Sequence, residues 1–291
     1  MQNIVAVLIS GLATGSTYAL IVLGMNLLVL VRRIVHFGFA YVVVMTAYLG
    51  WVVIQATNGN MLISLPAFII IGIILVLATE PLFRPLARKG AFLESLVLGQ
   101  GLAIFLTDSA SHFFNHGYAV AFPGNMAGGG IGIRYGLIYF TLGNIYALVG
   151  GIIIVVILFL FLFRTKYGRA LRAMAQNRDI ATSFGLSFNR MGIMGFGIAG
   201  ILAGVVAIAL AMTLKAVNPT LGDTLATKAL ILMLFAGMGN LTGGLVCALG
   251  MGVVEAMAQG YVPGAWTDTV TFGILMVIIL VRPNGLFGSR A

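Results

Sequence analysis

The sequence predicts an all-α protein, a polytopic transmembrane helical bundle of about eight spans, or nine if one interruption is a true turn. Three observations predict it. Of the 291 residues, 60% are hydrophobic and only 8% are charged, with a mean hydropathy of +1.10; a soluble domain carries about one quarter charged residues. Apolar runs of about twenty residues, the length a helix needs to cross hydrocarbon, recur along the whole chain. The cationic residues, 16 against 7 acidic ones for a net charge of +9, gather in a few connections between those runs. Residues 1–291 therefore read as a single transmembrane domain. Loops that set topology account for the positive charge, so no nucleic-acid partner is expected. The lone Cys247 excludes an internal disulfide and a cysteine-based metal site.

The first run, about 4–30, opens "MQNIVAVLIS" with no basic residue ahead of it. It is too long for a signal-peptide core, so it is expected to stay in place and to enter from outside. The second run, about 35–56, follows Arg32 and Arg33. The third, about 61–79, precedes Arg84, Arg88 and Lys89, and the fourth covers about 93–114. The fifth, about 137–163, leads into a loop holding Arg164, Lys166, Arg169, Arg172, Arg178 and Arg190, followed by the sixth at about 191–213. The seventh, about 225–260, is overlong and is interrupted by "GMGNLTGG" at Gly237–Gly244; the eighth covers about 268–282. The positive-inside rule places the three basic loops in the cytoplasm. A true turn at Gly237–Gly244 would bring Arg282 and Arg290 to the same side.

Glycine supplies 39 residues. Gly11/Gly15, Gly200/Gly204 and Gly239/Gly243 have the small-xxx-small spacing that lets helices approach closely in lipid. "GFGIAG" at Gly195–Gly200 matches a dinucleotide fingerprint in letters only, because no strand precedes it. "GMGNLTGG" lacks the G-K-[ST] ending of a phosphate-binding loop. No paired carboxylates, serine–base pair or HExxH pattern points to an enzyme.

One stretch breaks the apolar rule: "GRALRAMAQNRDIATSFG", Gly168–Gly185. Read as a helix over 168–184, it places Ala170, Ala173, Asn177 and Ala181 on one shallow face, with Arg169, Arg172, Gln176 and Asp179 beside it. Gly185 suits the position just past a helix end. Such a helix fits a groove on another protein, or it is a solvated loop that anchors topology.

The run "RTKYGRALRAMAQNRDIATSFGLSFNRM" resembles the cytoplasmic loop of the LivH-type permeases, membrane subunits of branched-chain amino acid ABC importers. Arg164, Thr165, Gly168, Arg169, Ala170, Arg172, Ala173, Ala175, Ala181, Gly185, Leu186 and Arg190 match that pattern. The likeness extends over nearly the whole chain, through "GLATGSTYALIVLGMNLL", "LFRPLARKGAFLESLVLGQGLAIFL", Asn218–Pro263 and the closing "VRPNGLFG". It implies a coupling helix at about 164–190 that docks on an ATPase subunit, with Gly168, Arg169, Ala170, Arg172, Ala173, Asn177, Asp179 and Gly185 as its contact residues. It also implies a bacterial inner-membrane location, half of a pore shared with a second LivM-like permease chain, and two cytoplasmic ATP-binding subunits. A periplasmic solute-binding protein would deliver solute near Asn218–Thr224. ATP would be used by the partner subunits, with no cofactor bound by this chain. The implied solute is a branched-chain amino acid or a related small polar molecule such as urea, an amide or an aromatic acid. "HFGFAY" at 36–41 lacks the acidic residue usual in the family and leaves that choice open.

Polar residues inside spans are costly and mark functional candidates. Glu255 can pair with Lys228 or point into a water-filled path. Thr14, Thr17, Tyr18 and Asn26 in the first run can line that path, or simply hydrogen-bond across helices. Asp108, His112 and His116 share an i, i+4, i+8 spacing that can hold a metal, or they are polar residues at a span's outer end. A broken seventh run with Glu255 also suits a different class, a stand-alone secondary transporter or channel driven by an ion gradient.

Overall fold

The structure is a computed structural model that describes residues 2–114, 117–123, 132–135, 138–214, 216–261, 266–281 and 286–287. In chain order the elements are α1 (Gln2–Arg32), α2 (Phe39–Ala56), α3 (Met61–Lys89), α4 (Phe92–Phe113), β1 (Val120–Ala121), β2 (Gly132–Tyr135) and β3 (Ile138–Thr141). They continue with α5 (Leu142–Arg164), α6 (Lys166–Gln176), α7 (Arg178–Ser183), α8 (Phe188–Thr213), β4 (Ala216–Val217), α9 (Leu221–Ala236), α10 (Leu241–Tyr261) and α11 (Thr267–Val281). The chain is thus a helical membrane bundle. The strands are short antiparallel clasps, one joining Val120–Ala121 to Ala216–Val217 and one joining β2 to β3.

Among the described residues six helices are long and apolar enough to cross a membrane: those ending at Arg32, Ala56, Lys89, Arg164, Thr213 and Gly260. Eight or nine crossings would also have to draw on α4, α9 and α11. Of these, α9 and α11 have 16 and 15 residues, and α4 carries Glu94, Gln100 and Asp108.

The centre of the bundle is α1. In its most apolar stretch 89% of residues are buried, against 22% in α3 and 28% in α5, which lie at the periphery. Glycines set the close approaches. A Cβ at Gly11 would lie 2.9 Å from Ala256 Cβ, and one at Gly15 would lie 3.0 Å from Leu249 Cα, so α1 lies backbone to backbone on α10. Gly200 and Gly204 of α8 meet α3 in the same way, with a Gly204 Cβ 2.7 Å from Phe68 O. Gly72 of α3 completes that seam, where a Cβ would lie 2.6 Å from Gly200 O. The pair Gly239/Gly243 is different. Gly237 and Gly239 have φ of 89° and 79°, a backbone that side-chain-bearing residues rarely adopt. The interruption is therefore a true turn between α9 and α10, and Gly239 serves it rather than a packing seam.

The third run continues past residue 79. Pro66, Pro81 and Pro85 lie inside α3 without ending it; prolines are tolerated in membrane helices because neighbours re-satisfy the freed carbonyls. The extension brings Glu80 into the core. Glu80 bonds Arg32 of α1 and also Arg84, one turn on, at 2.5 Å. Arg32 and Glu80 are both fully enclosed, and the Arg32 guanidinium lies 4.4 Å over the Phe188 ring of α8. His36 Nε2 meets Thr79 Oγ1 at 2.9 Å, and the imidazole stacks on Phe83 at 4.2 Å.

Candidate translocation and coupling sites

A cavity of about 580 Å³ opens among α1, α5, α8, α9, α10 and α11. Its wall carries the hydroxyls of Ser10, Thr14, Thr17 and Thr224, and the charged pair Lys228 and Glu255. Lys228 Nζ lies 2.8 Å from Glu255 Oε1, both side chains being buried. The Tyr18 hydroxyl donates to Glu255 Oε2 at 2.8 Å, and Gln259 Nε2 reaches Glu255 Oε1 at 3.5 Å. Glu255 is thus paired with Lys228 and also borders the cavity. Uncompensated, either charge would be expensive here; paired and hydrogen-bonded, each remains polar at the edge of a polar space.

Thr14, Thr17, Tyr18 and Glu255 all line this cavity. Thr17 also donates back to Ala13 O at 3.2 Å, so its hydroxyl does local helix work too. Asn26 lies elsewhere. Fully buried, it accepts from Gly239 N at 2.9 Å and donates to Asn240 O at 3.4 Å. Asn26 therefore ties the C-terminal third of α1 to the α9–α10 turn.

The polar stretch departs from a single helix. Thr165 caps α6, accepting from Gly168 N at 3.0 Å. Asn177 leaves the helical region, with φ −149° and ψ 110°, and caps α7 by accepting from Asp179 N at 3.0 Å and Ile180 N at 3.1 Å. An asparagine amide competes well with helical backbone, so the break is local chemistry. Gly185, with φ 83°, follows the end of α7 as expected. The buried face of α6 is Gly168, Leu171 and Met174, not the alanine stripe. Gly168 sits against Phe161 O and Leu162 of α5. Ala173 is exposed and Ala170 half-buried; Arg169, Asn177, Asp179 and Gly185 are exposed. Arg172 is half-buried, its guanidinium 4.5 Å over the Phe163 ring. Composition concealed a further feature: Tyr167, Ile180 and Phe184 are 61%, 57% and 84% exposed.

Asp108 and His112 lie one turn apart on α4, and both are exposed; His116 lies outside the described residues. Asp108 borders a smaller cavity of about 260 Å³ with Tyr41 and Asp223, whose hydroxyl and carboxylate bond at 2.6 Å.

Residues 7–280 match the family described as branched-chain amino acid transport system / permease component. The chain belongs to that permease family. Its relatives include the high-affinity branched-chain amino acid transport system permease protein BraD of Pseudomonas aeruginosa, 28% identical over 97% of this chain and 94% of BraD. The permease protein LivH of Escherichia coli is 25% identical over 96% of this chain and 94% of LivH. A probable branched-chain amino acid transport permease, LivH of Methanocaldococcus jannaschii, is 24% identical over 92% and 88%. No solved structure matches. As a permease of this family, the chain is a multi-pass integral membrane protein. The similarity spans both the cavity and the α6–α7 stretch, which lie within the matched residues.

Proposed function

We propose that this permease is a membrane subunit of an ATP-binding cassette importer in the bacterial inner membrane. It forms half of a path for branched-chain amino acids or a related small polar solute such as urea, an amide or an aromatic acid. A second LivM-like permease chain supplies the other half, two cytoplasmic ATP-binding subunits use the ATP, and a periplasmic protein delivers solute. The observation that carries the reading is the family match over residues 7–280 in a bundle that encloses a hydroxyl-lined cavity with a buried cation–anion pair. Relatives of that name are transport permeases.

In this reading Thr14, Thr17, Tyr18 and Glu255 line the path. Hydroxyls and a paired charge can exchange hydrogen bonds with a passing polar solute at little net cost, because each group keeps a partner throughout. Asn26 positions α1 against the α9–α10 turn and acts on the path indirectly. The α6–α7 stretch receives the motion of the ATPase through Arg169, Ala170, Arg172 and Ala173, helped by exposed Ile180 and Phe184. Gly168 and Asn177 fix the geometry of that surface: one seats α6 on α5, the other caps α7. Asp179 and Gly185 complete it.

The test is uptake by proteoliposomes holding the co-expressed complex. Uptake that requires internal ATP and the solute receptor is expected. Uptake that persists without ATP and follows a proton or sodium gradient would instead establish a stand-alone secondary transporter.

A further inference from the structure

At the end of the bundle carrying α6 and α7, a cleft of about 410 Å³ is lined by Arg32, Arg33, Arg88, Lys89 and Arg178, with Asp179 as its one acidic residue. The cations approach from three places: the end of α1, the end of α3 and the start of α7. Among the described residues, Arg33, Arg88, Lys89 and Arg178 make no ion pair. Arg33 reaches only Ala175 O at 3.4 Å, Arg88 reaches Asn189 Oδ1 at 3.1 Å, and Arg178 reaches Arg88 O at 3.4 Å. Arg32 is 2% exposed. Its Nη2 serves Glu80, while its Nε and Nη1 have no hydrogen-bond partner among the described residues. Converging cations without ion-pair partners, one of them with buried unfilled donors, suit an anion with several acceptor oxygens, and phosphate matches the guanidinium fork.

The surroundings indicate the source. Ile70, Ile74, Ala78, Leu82, Pro85 and Lys89 lie on one face of α3, spaced by three or four residues, and all are exposed. The stripe is apolar for its whole length until Lys89, where it meets the cleft. Across the Gly90 turn, Leu93, Val97 and Ile104 form a second exposed apolar stripe on α4, 71%, 74% and 63% exposed. An apolar track that ends at a cationic, headgroup-sized cleft, with a second beginning three residues past its Gly90 wall, fits a phospholipid.

We infer that this cleft binds the phosphate of an anionic phospholipid, whose acyl chains lie along α3 and α4. The site needs only that the chain spans a bilayer. Because Arg178 and Asp179 belong to α7, the lipid would brace the α6–α7 surface against α3.

The test is native mass spectrometry of the full chain after exchange into equimolar phosphatidylglycerol and phosphatidylcholine with matched acyl chains. Wild type is expected to retain phosphatidylglycerol in preference, and R88Q/K89Q/R178Q to lose the preference by about hundredfold, a factor of about five per cation removed. A control, R164Q/K166Q, removes two cations at the same end but outside the cleft and is expected to retain it. Equal loss in the control would mean diffuse attraction and would overturn the site. So would no headgroup preference in wild type, or full displacement by millimolar glycerol 1-phosphate, which would assign the cleft to a soluble phosphate.

Discussion

At the scale of single residues, the two buried ion pairs make opposite demands. Arg32–Glu80 is buried at the wall of the cationic cleft, where Glu80 also holds Arg84, whereas Lys228–Glu255 borders the hydroxyl-lined cavity. Removing one partner of an enclosed pair strands a charge at a cost of about 3–5 kcal/mol. Glu80→Gln is therefore expected to lower the yield of folded, detergent-soluble protein severely, measured by size-exclusion chromatography; an unchanged, monodisperse peak would show that the Arg32 pair carries no such weight. At the cavity, Glu255→Gln should reduce uptake by more than about tenfold, the effect of roughly 1.4 kcal/mol, and should do so more than it reduces the amount of inserted protein. The double variant Lys228→Met/Glu255→Gln relieves the stranded charge. It should restore insertion but not uptake if the pair serves the path, and should restore both if the pair is purely structural. Glu255 and Lys228 were legible in the sequence because they interrupt apolar runs. Glu80 was not: it follows "VLAT" at the end of the apolar run, and Pro81 and Pro85 disguised the continuing helix. The signal was there in Arg84, four residues on, which pairs with Glu80 only if the helix continues.

At the scale of elements, the glycine spacing identified two seams and misassigned a third. Gly11/Gly15 and Gly200/Gly204 pack helices, but Gly239 has a positive φ and makes a turn; spacing alone carries no information about φ. Gly204→Ala, which would place Cβ 2.7 Å from Phe68 O, is expected to destabilise by about 1–3 kcal/mol, lowering the thermal midpoint in detergent. Gly197→Ala on the same helix, where a Cβ meets nothing, should be neutral. Equal midpoints for the two would refute the α3–α8 seam. The α6–α7 break was hidden for a different reason. Periodicity continues smoothly through Asn177, and only its side-chain cap, a competitor of the helix backbone, shows the boundary. The same break moves the exposed surface from an alanine stripe toward Ile180 and Phe184. Arg169→Glu and Phe184→Asp should each leave the protein inserted while separating ATP hydrolysis from uptake in the assembled complex; fully coupled transport by both variants would remove α6–α7 from the coupling role.

At the scale of the molecule, hydropathy announced a helical membrane protein, and the broken seventh run resolved into α9 and α10. The number of crossings was harder to read, because α4, α9 and α11 are short or polar enough that their place depends on neighbours rather than on their own transfer energy. The clasp between β1 and β4 was invisible for a related reason: two-residue strands with partners far apart in sequence leave no periodic trace. The central claim is that this permease works as one part of an ATP-driven assembly, and one measurement addresses it directly. Mild-detergent purification of the chain from its native membrane, followed by mass spectrometry, should bring down two ATP-binding subunits with a second permease chain. A chain that purifies alone, or only with copies of itself, would contradict the account.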